Sequence, residues 1–470
     1  MSRQTVLQYA NHYYESGRFT DDLARRIAYP TESPLLERRP VLRDYLLKEM
    51  VPTLASLGYT SRILDNPVDK EIPFLLASRE EGPELPTLLT YGHGDVVRGL
   101  AELWDEGLSP WELRKVGDRF YGRGTADNKA QHSIVIGALE AVLKVRGNHG
   151  FNSKILIDMG EEIGSPGLTE VVENHARDLQ ADIFIASDGP RLKVERPDIK
   201  LGNRGMMAFD LVVDLRDGSR HSGHWGGVLE DPGIILANAL ARIADKRGKI
   251  LVPNWCPASG IPPAIKAALT DCYVDPGPDF PHIAADWGEP GLSRAEKMFG
   301  WTSFIVLAFL TGQPDEPVNG VQPWARASCQ LRFSADMNPK DFLPALRKHL
   351  DEEGFEQVEI MQRETGFHPA SRTDPENQWV RWAVDSIAST MGAKPIVVPN
   401  GAGSLPSEVF ARHLGVPTVW VPHSYTGCKQ HGPNEHVLGQ LMNEGLRIMA
   451  GLFWDLGEAG PEKMAPKNRV

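Results

Sequence analysis

Strand-like and helix-like segments alternate along two separate stretches of this 470-residue chain. Short apolar runs at 154–158 (KILID) and 182–186 (DIFIA) are typical of buried strands, whereas apolar residues recur at the helical period through 127–145. Such alternation predicts an α/β domain with a mixed, mainly parallel sheet. The further predicted helices lie at 37–57, 167–177, 232–246, 339–353, 378–391 and 435–453, and the further predicted strands lie at 72–77, 87–91, 206–215, 325–333, 355–361, 394–398 and 416–421.

The region between the two stretches has a different pattern. Its first predicted strand, at 206–215, has no immediate crossover helix, and residues 253–291 are rich in Pro and Gly. Few helices beside antiparallel-looking strands predict a separate α+β domain. We therefore expect residues 1–203 and 377–470 to form one α/β domain and residues 204–376 to form an inserted domain.

Composition and charge disfavour several classes of protein. The formal net charge of −12 is unlike that of a non-specific nucleic-acid binder, which needs a basic surface. The longest apolar run, at 304–310, is far shorter than the roughly 20 residues of a membrane helix. The first residues show no apolar run of a signal peptide, and the four cysteines are scattered without a CxxC pair. We expect a cytoplasmic protein that binds neither membrane nor nucleic acid.

Five short segments carry His or carboxylate side chains, and all of them end or follow predicted strands of the α/β pattern. They are 91–95 (YGHGD), 124–128 (GTADN), 158–162 (DMGEE), 186–189 (ASDG) and 431–435 (HGPNE). Each segment alone could be a solvated loop, a turn or a helix cap. Ligands of open α/β sheets nevertheless gather at the carboxyl ends of strands. Together the segments predict a two-metal site with nitrogen and oxygen ligands, for which zinc is the expected ion.

The spacing within these segments suggests individual roles. His93 and Asp95 are two residues apart, which on a strand places both side chains on one side, so that Asp95 can orient a metal-binding His93. Of the neighbours Glu161 and Glu162, one can bind metal while the other acts as a base on water. Asp127, at the start of a predicted helix, could bridge two cations.

At this point the sequence resembles a known family. It is similar to the co-catalytic zinc hydrolases, which include carnosinase-type dipeptidases, aminoacylase, acetylornithine deacetylase, succinyl-diaminopimelate desuccinylase and glutamate carboxypeptidase. The order and spacing of the motifs match from about residue 20 to 455. The motifs are GHGD at 92–95, GRGTADNK at 122–129, EEIGSPG at 161–167, SDG at 187–189, HSG at 221–223 and HGPNE at 431–435.

The resemblance implies a complete catalytic centre with two divalent ions, most simply zinc, with manganese or cobalt as alternatives. One ion would be held by His93, Asp127 and Asp188, and the other by Asp127, Glu162 and His431. The resemblance also implies that Glu161 is the general base, that Asp95 supports His93, and that the Asp127–Asn128 peptide is cis.

For the inserted domain, the resemblance implies a lid that also forms a homodimer. A His in the Gly-rich loop at 216–227 would meet the substrate, either in its own chain or in the partner's. His221 is the expected residue and His224 the alternative. The other implied substrate-binding residues are Asn319, Arg332, Gly403 and Ser404. Arg332 suits a carboxylate because its guanidinium can bond it bidentately, although an ordinary structural role is also open to it and to Ser404.

The implied function is hydrolysis of an amide bond in a dipeptide or similar small substrate with a free carboxylate, by a metal-activated water. An N-acyl-amino-acid deacylase is the alternative, because the two activities differ only in what fills the acyl side. A catalytically inactive relative is disfavoured because Glu161 and all the implied ligands are present. A serine hydrolase is disfavoured because the chain lacks a G-x-S-x-G elbow between strand and helix.

Overall fold

The computed structural model describes residues 2–274, 282–403 and 405–458, except for the side chains of residues 364 and 365. Within these ranges no helix is long and apolar enough to cross a membrane. The strands are β1 Thr60–Leu64, β2 Phe74–Arg79, β3 Thr87–His93, β4 Arg114–Val116, β5 Arg119–Tyr121, β6 Asn152–Asp158, β7 Ile183–Ala186, β8 Pro190–Arg191, β9 Asp198–Lys200, β10 Gly202–Asn203, β11 Gly205–Asp214, β12 Arg220–His221, β13 Ser303–Thr311, β14 Gly320–Val321, β15 Trp324–Phe333, β16 Glu359–His368, β17 Ser371–Arg372, β18 Ile396–Val398, β19 Thr418–Trp420, β20 Ser424–Tyr425 and β21 His436–Leu438.

The helices include nearly all those predicted from the sequence. A π-helical turn at Leu46–Met50 joins α3 to α4, so that the helix predicted over 37–57 is present in three parts. The α-helices are α1 Arg3–Glu15, α2 Arg18–Ile27, α3 Arg39–Tyr45, α4 Val51–Ser56, α5 Lys129–Arg146, α6 Leu168–Asn174, α7 Ala176–Leu179, α8 Ser222–Trp225, α9 Pro232–Ile243, α10 Pro263–Leu269, α11 Phe342–Glu352, α12 Gln378–Met391, α13 Ser407–His413 and α14 Gly439–Glu458.

The described residues divide into two compact units. The first unit lies within Met1–Gly202, Thr373–Val398 and Leu405–Val470, and the second lies within Asn203–Arg372 and Pro399–Ser404. The sequence analysis places its boundaries after residues 203 and 376, and it does not assign residues 399–404 to the inserted segment. Tertiary contacts decide that assignment, because the backbone of Gly401 accepts a hydrogen bond from Arg204 N.

The first unit contains an eight-stranded sheet in the order β1-β2-β6-β3-β7-β19-β9-β18. Its four central strands, β6, β3, β7 and β19, are parallel; β2 is antiparallel to β6, and the edge strand β1 is antiparallel to β2. Strand β7 is buried on both faces: Ile183 and Ile185 belong to one apolar core, and Phe184 and Ala186 belong to the other. The predicted mixed, mainly parallel sheet is thereby confirmed.

A small sheet of β4, β5 and β21 also belongs to the first unit. The prediction of a helix over 435–453 is wrong at its start, because residues 436–438 pair with β5 as a strand. Helix α14 begins only at Gly439, whose N–H donates to Asp118 O at 2.7 Å. A three-residue strand that pairs with a distant hairpin carries no periodic signal in the sequence.

The second unit contains an antiparallel sheet in the order β13-β15-β11-β16. Helices α9 and α11 supply apolar residues to its core, among them Leu236 and Leu346. Strand β16 begins at Glu359 rather than at the predicted residue 355, because residues 355–358 form a turn closed by Val358 N to Phe355 O. Strand β13, which the sequence analysis does not predict, forms one edge of this sheet.

Candidate metal centre

Three of the predicted metal-binding segments lie at the same edge of the main sheet. His93 is the last residue of β3, Glu161 and Glu162 follow β6 in a 3₁₀ turn, and Asp188 lies two residues after β7. These strands are parallel neighbours, so their carboxyl ends meet. Gly92 allows helix α5 to approach closely behind His93, because a Cβ there would lie 2.6 Å from the Cβ of His132.

Asp127 and His431 also lie at this edge of the sheet, but their loops do not directly follow β3, β6 or β7. The loop carrying Asp127 follows β5 of the small sheet, and the loop carrying His431 lies between β20 and β21. Pairing of β5 with β21 brings the two loops together. Gly124 turns the first loop with φ +92°, a conformation that favours glycine. The Asp127–Asn128 peptide is cis, as the resemblance implies.

The first group of possible ligands consists of His93, Asp127 and Asp188. His93 Nε2 lies 2.8 Å from Asp127 Oδ1 and 3.7 Å from Asp188 Oδ2. One ligand atom from each residue lies within 4.8 Å of the others. All three side chains are buried. Their ligand atoms therefore face a common point that one ion could occupy.

The second group consists of Asp127, Glu162 and His431. His431 Nε2 lies 3.1 Å from Asp127 Oδ2 and 3.0 Å from Glu162 Oε2. Asp127 belongs to both groups and directs one carboxylate oxygen to each imidazole. Its Oδ2 also accepts a hydrogen bond from the Gln430 amide. This is the arrangement expected of a carboxylate that bridges two ions.

The donor set fits divalent cations. Imidazole nitrogen and carboxylate oxygen are ordinary zinc ligands, and carboxylates also suit manganese. Glu162 Oε1 is buried and has no hydrogen-bond partner among the described residues. An ion next to Glu162 would satisfy that oxygen, whereas an empty buried site would leave it at an energetic cost.

The acidic groups of the centre disfavour one another's ionisation. Burial, and then the charge of Asp127, raise the pKa of Glu162 to about 7 and that of Asp188 to about 6. Burial and neighbouring carboxylates also raise the pKa of Glu161 well above its ordinary value, against the opposing effect of His93. Burial disfavours the ionised form of Asp127 too, but hydrogen bonds from the two imidazoles outweigh it and lower its pKa. Cations would relieve this repulsion.

Glu161 differs from its neighbour in position. Its side chain is 20% exposed, against 3% for Glu162, and it belongs to neither ligand group. Its Oε2 lies 4.0 Å from His93 Nε2, beside the first group. A carboxylate that is close to the ligands, partly open and outside their set is placed as a base would be.

Asp95 connects the segments behind the ligands. Its Oδ1 lies 3.3 Å from His93 Nδ1, and its two oxygens accept the backbone N–H groups of Glu161 and Glu162, each at 3.1 Å. Ser33 Oγ also donates to Asp95 Oδ2 at 2.6 Å. The sequence gives no sign of this contact, because nothing around Ser33 links it to a residue 62 positions away.

Gln131 is a second buried positioning residue that the sequence analysis missed. Its Nε2 donates to Ala126 O at 2.9 Å, and its Oε1 accepts the N–H of His423 at 2.9 Å. It thereby links the Asp127 loop to the segment after β19. Its place within the helical pattern of α5 gives no sign of this role.

The predicted substrate residues of the second unit include a histidine pair. His221 ends β12 and is exposed, and its Nδ1 accepts the N–H of Gly223 at 3.1 Å. Its ring stacks on that of His224 with centroids 4.6 Å apart. Asn319 lies beside them, because its backbone oxygen accepts the N–H of Ser222 at 3.0 Å.

The remaining predicted substrate residues are Arg332, Gly403 and Ser404. Arg332 lies on β15, partly buried, and its Nε donates to Gln330 Oε1 at 3.3 Å. Gly403 is exposed. Ser404 lies outside the described residues. The roles of all these residues stay predictions.

Comparisons with known proteins identify the family of this chain. Residues 89–455 match the model of peptidase family M20/M25/M40. The chain is 26% identical to the human Beta-Ala-His dipeptidase over 82% of this chain and 78% of that protein. It is 26% identical to the Cysteinylglycine-S-conjugate dipeptidase of Corynebacterium striatum over 73% and 75% of the two chains. The crystal structure of human carnosine dipeptidase 1 has the same fold, with a TM-score of 0.72, 22% identity and coverage of 97% and 99%. The chain belongs to peptidase family M20/M25/M40.

Proposed function

We propose that this chain is a two-metal dipeptidase that cleaves small substrates with a free carboxylate. The observation that carries the proposal is Asp127, whose two oxygens are shared between two ligand groups beside Glu161. The relatives named as dipeptidases support the substrate class. In this proposal the first unit is the catalytic domain and the second is the lid and dimerisation domain.

The chemistry follows from the positions of the carboxylates. When bound, two divalent ions lower the pKa of a water and polarise the scissile carbonyl. Glu161 accepts the proton of the attacking water and then donates it to the leaving amine. Glu162 stays a ligand, held against His431. Asp95 fixes the imidazole of His93 and the backbone of both glutamates. Zinc is the proposed ion, with manganese and cobalt as alternatives.

The proposed substrate contacts come from the second unit. His221, or His224 as the alternative, would stabilise the oxyanion that forms during attack. Asn319 and Arg332 would bind the substrate, and Arg332 offers a guanidinium for the carboxylate. Gly403 and Ser404 would add backbone and hydroxyl donors to the same carboxylate.

We also propose a homodimer formed through β13. This edge strand exposes a continuous apolar run, with Ile305, Val306, Leu307 and Phe309 each at least 40% exposed. An open, apolar strand edge is prone to pair with another chain, and a second copy supplies the same edge. None of the four cysteines forms a disulfide, which supports the proposed cytoplasmic location.

The test of function is a substrate panel for protein reconstituted with zinc, manganese or cobalt. It compares dipeptides, the same dipeptides amidated at the C-terminus, and N-acetyl amino acids. We expect hydrolysis of free dipeptides and a loss of about tenfold or more on amidation, because a charged hydrogen-bond partner is removed. Preferential hydrolysis of N-acetyl amino acids would favour the deacylase alternative, and hydrolysis of neither class would overturn the proposal.

A further inference from the structure

Glu435 ends the motif that begins with His431, yet the proposed chemistry gives it no role. It is buried, and so is its ion-pair partner Arg123. We propose that this ion pair is a positioning device that fixes the loop of the bridging carboxylate Asp127 and thereby sets the affinity of the centre for its metals. The inference rests on the proposed function, because it assumes that Asp127 is a shared ligand.

The first support is the set of hydrogen bonds that Glu435 accepts. Its Oε1 accepts the backbone N–H of Gly124 at 3.0 Å, of Ala126 at 2.8 Å and of Asp127 itself at 3.2 Å. Three hydrogen bonds to one loop of four residues, 124–127, leave its backbone little freedom. The last of them acts directly on the residue whose carboxylate both ligand groups share.

The second support is the arrangement of Arg123. Its Nη1 donates to Glu435 Oε2 at 2.5 Å, and its Nη2 donates to Arg98 O at 3.0 Å. Arg98 lies on the loop that follows β3, the strand ending in His93. The guanidinium therefore joins the segment after His93 to the carboxylate that holds the Asp127 loop.

The third support is the main chain of the same residue. Gly122 N donates to Glu435 O at 3.1 Å, next to the pairing of β5 with β21. The neighbouring Asn434 accepts the N–H of Asp105 through its Oδ1 at 2.9 Å. The segments that follow His93, precede Asp127 and follow His431 thus meet at the buried ion pair of Arg123 and Glu435.

A glutamine at position 435 would keep the shape but not the function of this carboxylate. Its amide has one oxygen, which can serve either the three N–H groups or Arg123, but not both sides. The other side would face an NH₂ group, leaving donors opposed to donors and the guanidinium buried without a counter-charge. The Asp127 loop would then lose part of its restraint.

The test measures zinc affinity without substrate, by competition with a chromogenic chelator. Wild-type protein is compared with Glu435→Gln and with Glu49→Gln, a matched control. Glu49 forms a buried pair with Arg26 elsewhere in the same unit, with side-chain exposures of 8% and 2%. We expect Glu435→Gln to weaken zinc binding by about 10- to 100-fold, as loss of a ligand-orienting partner typically does. We expect Glu49→Gln to lower the Tm while leaving the zinc Kd within about twofold of wild type, because it touches no ligand loop.

The outcomes separate positioning from general stabilisation. An unchanged Kd in Glu435→Gln, or an equal change in Glu49→Gln, would overturn the proposal. If Glu435→Gln does not fold, Arg123→Lys serves instead: a lysine keeps the charge but cannot reach both Glu435 and Arg98, so zinc binding should again weaken, and a wild-type Kd would overturn the idea. Wild-type protein that binds no zinc would overturn the proposed function itself, whereas tight wild-type binding with unchanged variants overturns only the positioning role.

Discussion

Glu161 and Glu162 are chemically identical neighbours whose surroundings differ. Both follow an apolar strand, and the sequence predicts that one binds metal and one acts as base. The spacing alone cannot assign the two roles, because it does not say which side chain faces His431. The folded chain places Glu162 3.0 Å from that imidazole and leaves Glu161 more open. Candidate site residues can thus be predicted from the sequence. Which of the two glutamates faces His431 depends on tertiary contacts.

Two isosteric variants test this division. Glu161→Gln should retain its zinc and lose about 10²- to 10⁴-fold in turnover, because an amide cannot accept the proton of water. Glu162→Gln should weaken zinc binding as well, since a neutral amide is a poorer ligand. The measurements are zinc content per chain by atomic spectroscopy and kcat at saturating substrate. The reverse pattern would mean that the two roles are exchanged.

Lys129 gives a prediction for pH. Its Nζ is buried and donates to Arg26 O at 3.0 Å and Tyr29 O at 2.6 Å. Burial lowers its pKa from 10.5 to about 7, against the opposing charges of Asp95, Glu435 and Glu32. Between these pH values the unfolded chain binds a proton that the folded chain has released. This residue therefore disfavours folding at neutral pH, and its penalty disappears as the pH rises to 10.5.

The comparison of wild type with Lys129→Met isolates that effect. The free energy of unfolding of wild type relative to the variant should rise by about 1–2 kcal/mol between pH 7.5 and 9, given at most about 1.4 kcal/mol per pH unit for one group. Urea unfolding at both pH values measures it, and an exposed-lysine variant, Lys48→Met, is the control. A constant difference between wild type and Lys129→Met would show that Lys129 keeps its proton in the folded chain.

At the scale of elements, long periodic segments are predictable and short paired ones are not. The apolar run of β7 and the helical period of α5 identify both elements, because each buries its own regular pattern. Strands β5 and β21 have three residues each, too few to show a period, and β21 pairs with β5 across a distance of about 300 residues. The sequence therefore indicates Asp127 and His431 as candidate ligands, but it does not show that the pairing of β5 with β21 brings their loops together.

Strand β13 is long, yet the sequence does not predict it as a strand. Its apolar run is plain in the sequence, but the run shows no alternation of polar and apolar residues, because residues 305–309 are all exposed. The sequence pattern therefore does not identify it as a strand. If β13 is the dimer edge, Leu307→Lys should yield a monomer of 51.9 kDa where wild type has twice that mass. Sedimentation velocity measures both, with Leu36→Lys, at an exposed leucine of the first unit, as control. A monomeric wild type, or a Leu307→Lys dimer, would contradict the proposal.

At the scale of the whole molecule, the proposed base and metal ligands belong to one unit and the proposed oxyanion donor belongs to the other. The interrupted α/β pattern predicts that separation, but it does not say whether His221 serves its own chain or the partner's. Mixing His221→Ala with Glu161→Gln subunits tests this, because a mixed dimer has one site with an intact Glu161 and a partner with an intact His221. Recovered activity would support delivery to the partner. Mixed dimers as inactive as the parents would show that each chain uses its own histidine.

The most direct test of the shared two-metal centre is to measure the rate of dipeptide hydrolysis while metal-free protein is titrated with zinc. The two ligand groups that share Asp127 predict no turnover without metal and maximal turnover at two ions per chain. Asp127→Asn should prevent that maximum at the same zinc concentrations, because it weakens both sites together. Full activity in rigorously metal-free protein, or a maximum at one ion that Asp127→Asn leaves unchanged, would contradict a shared two-metal centre.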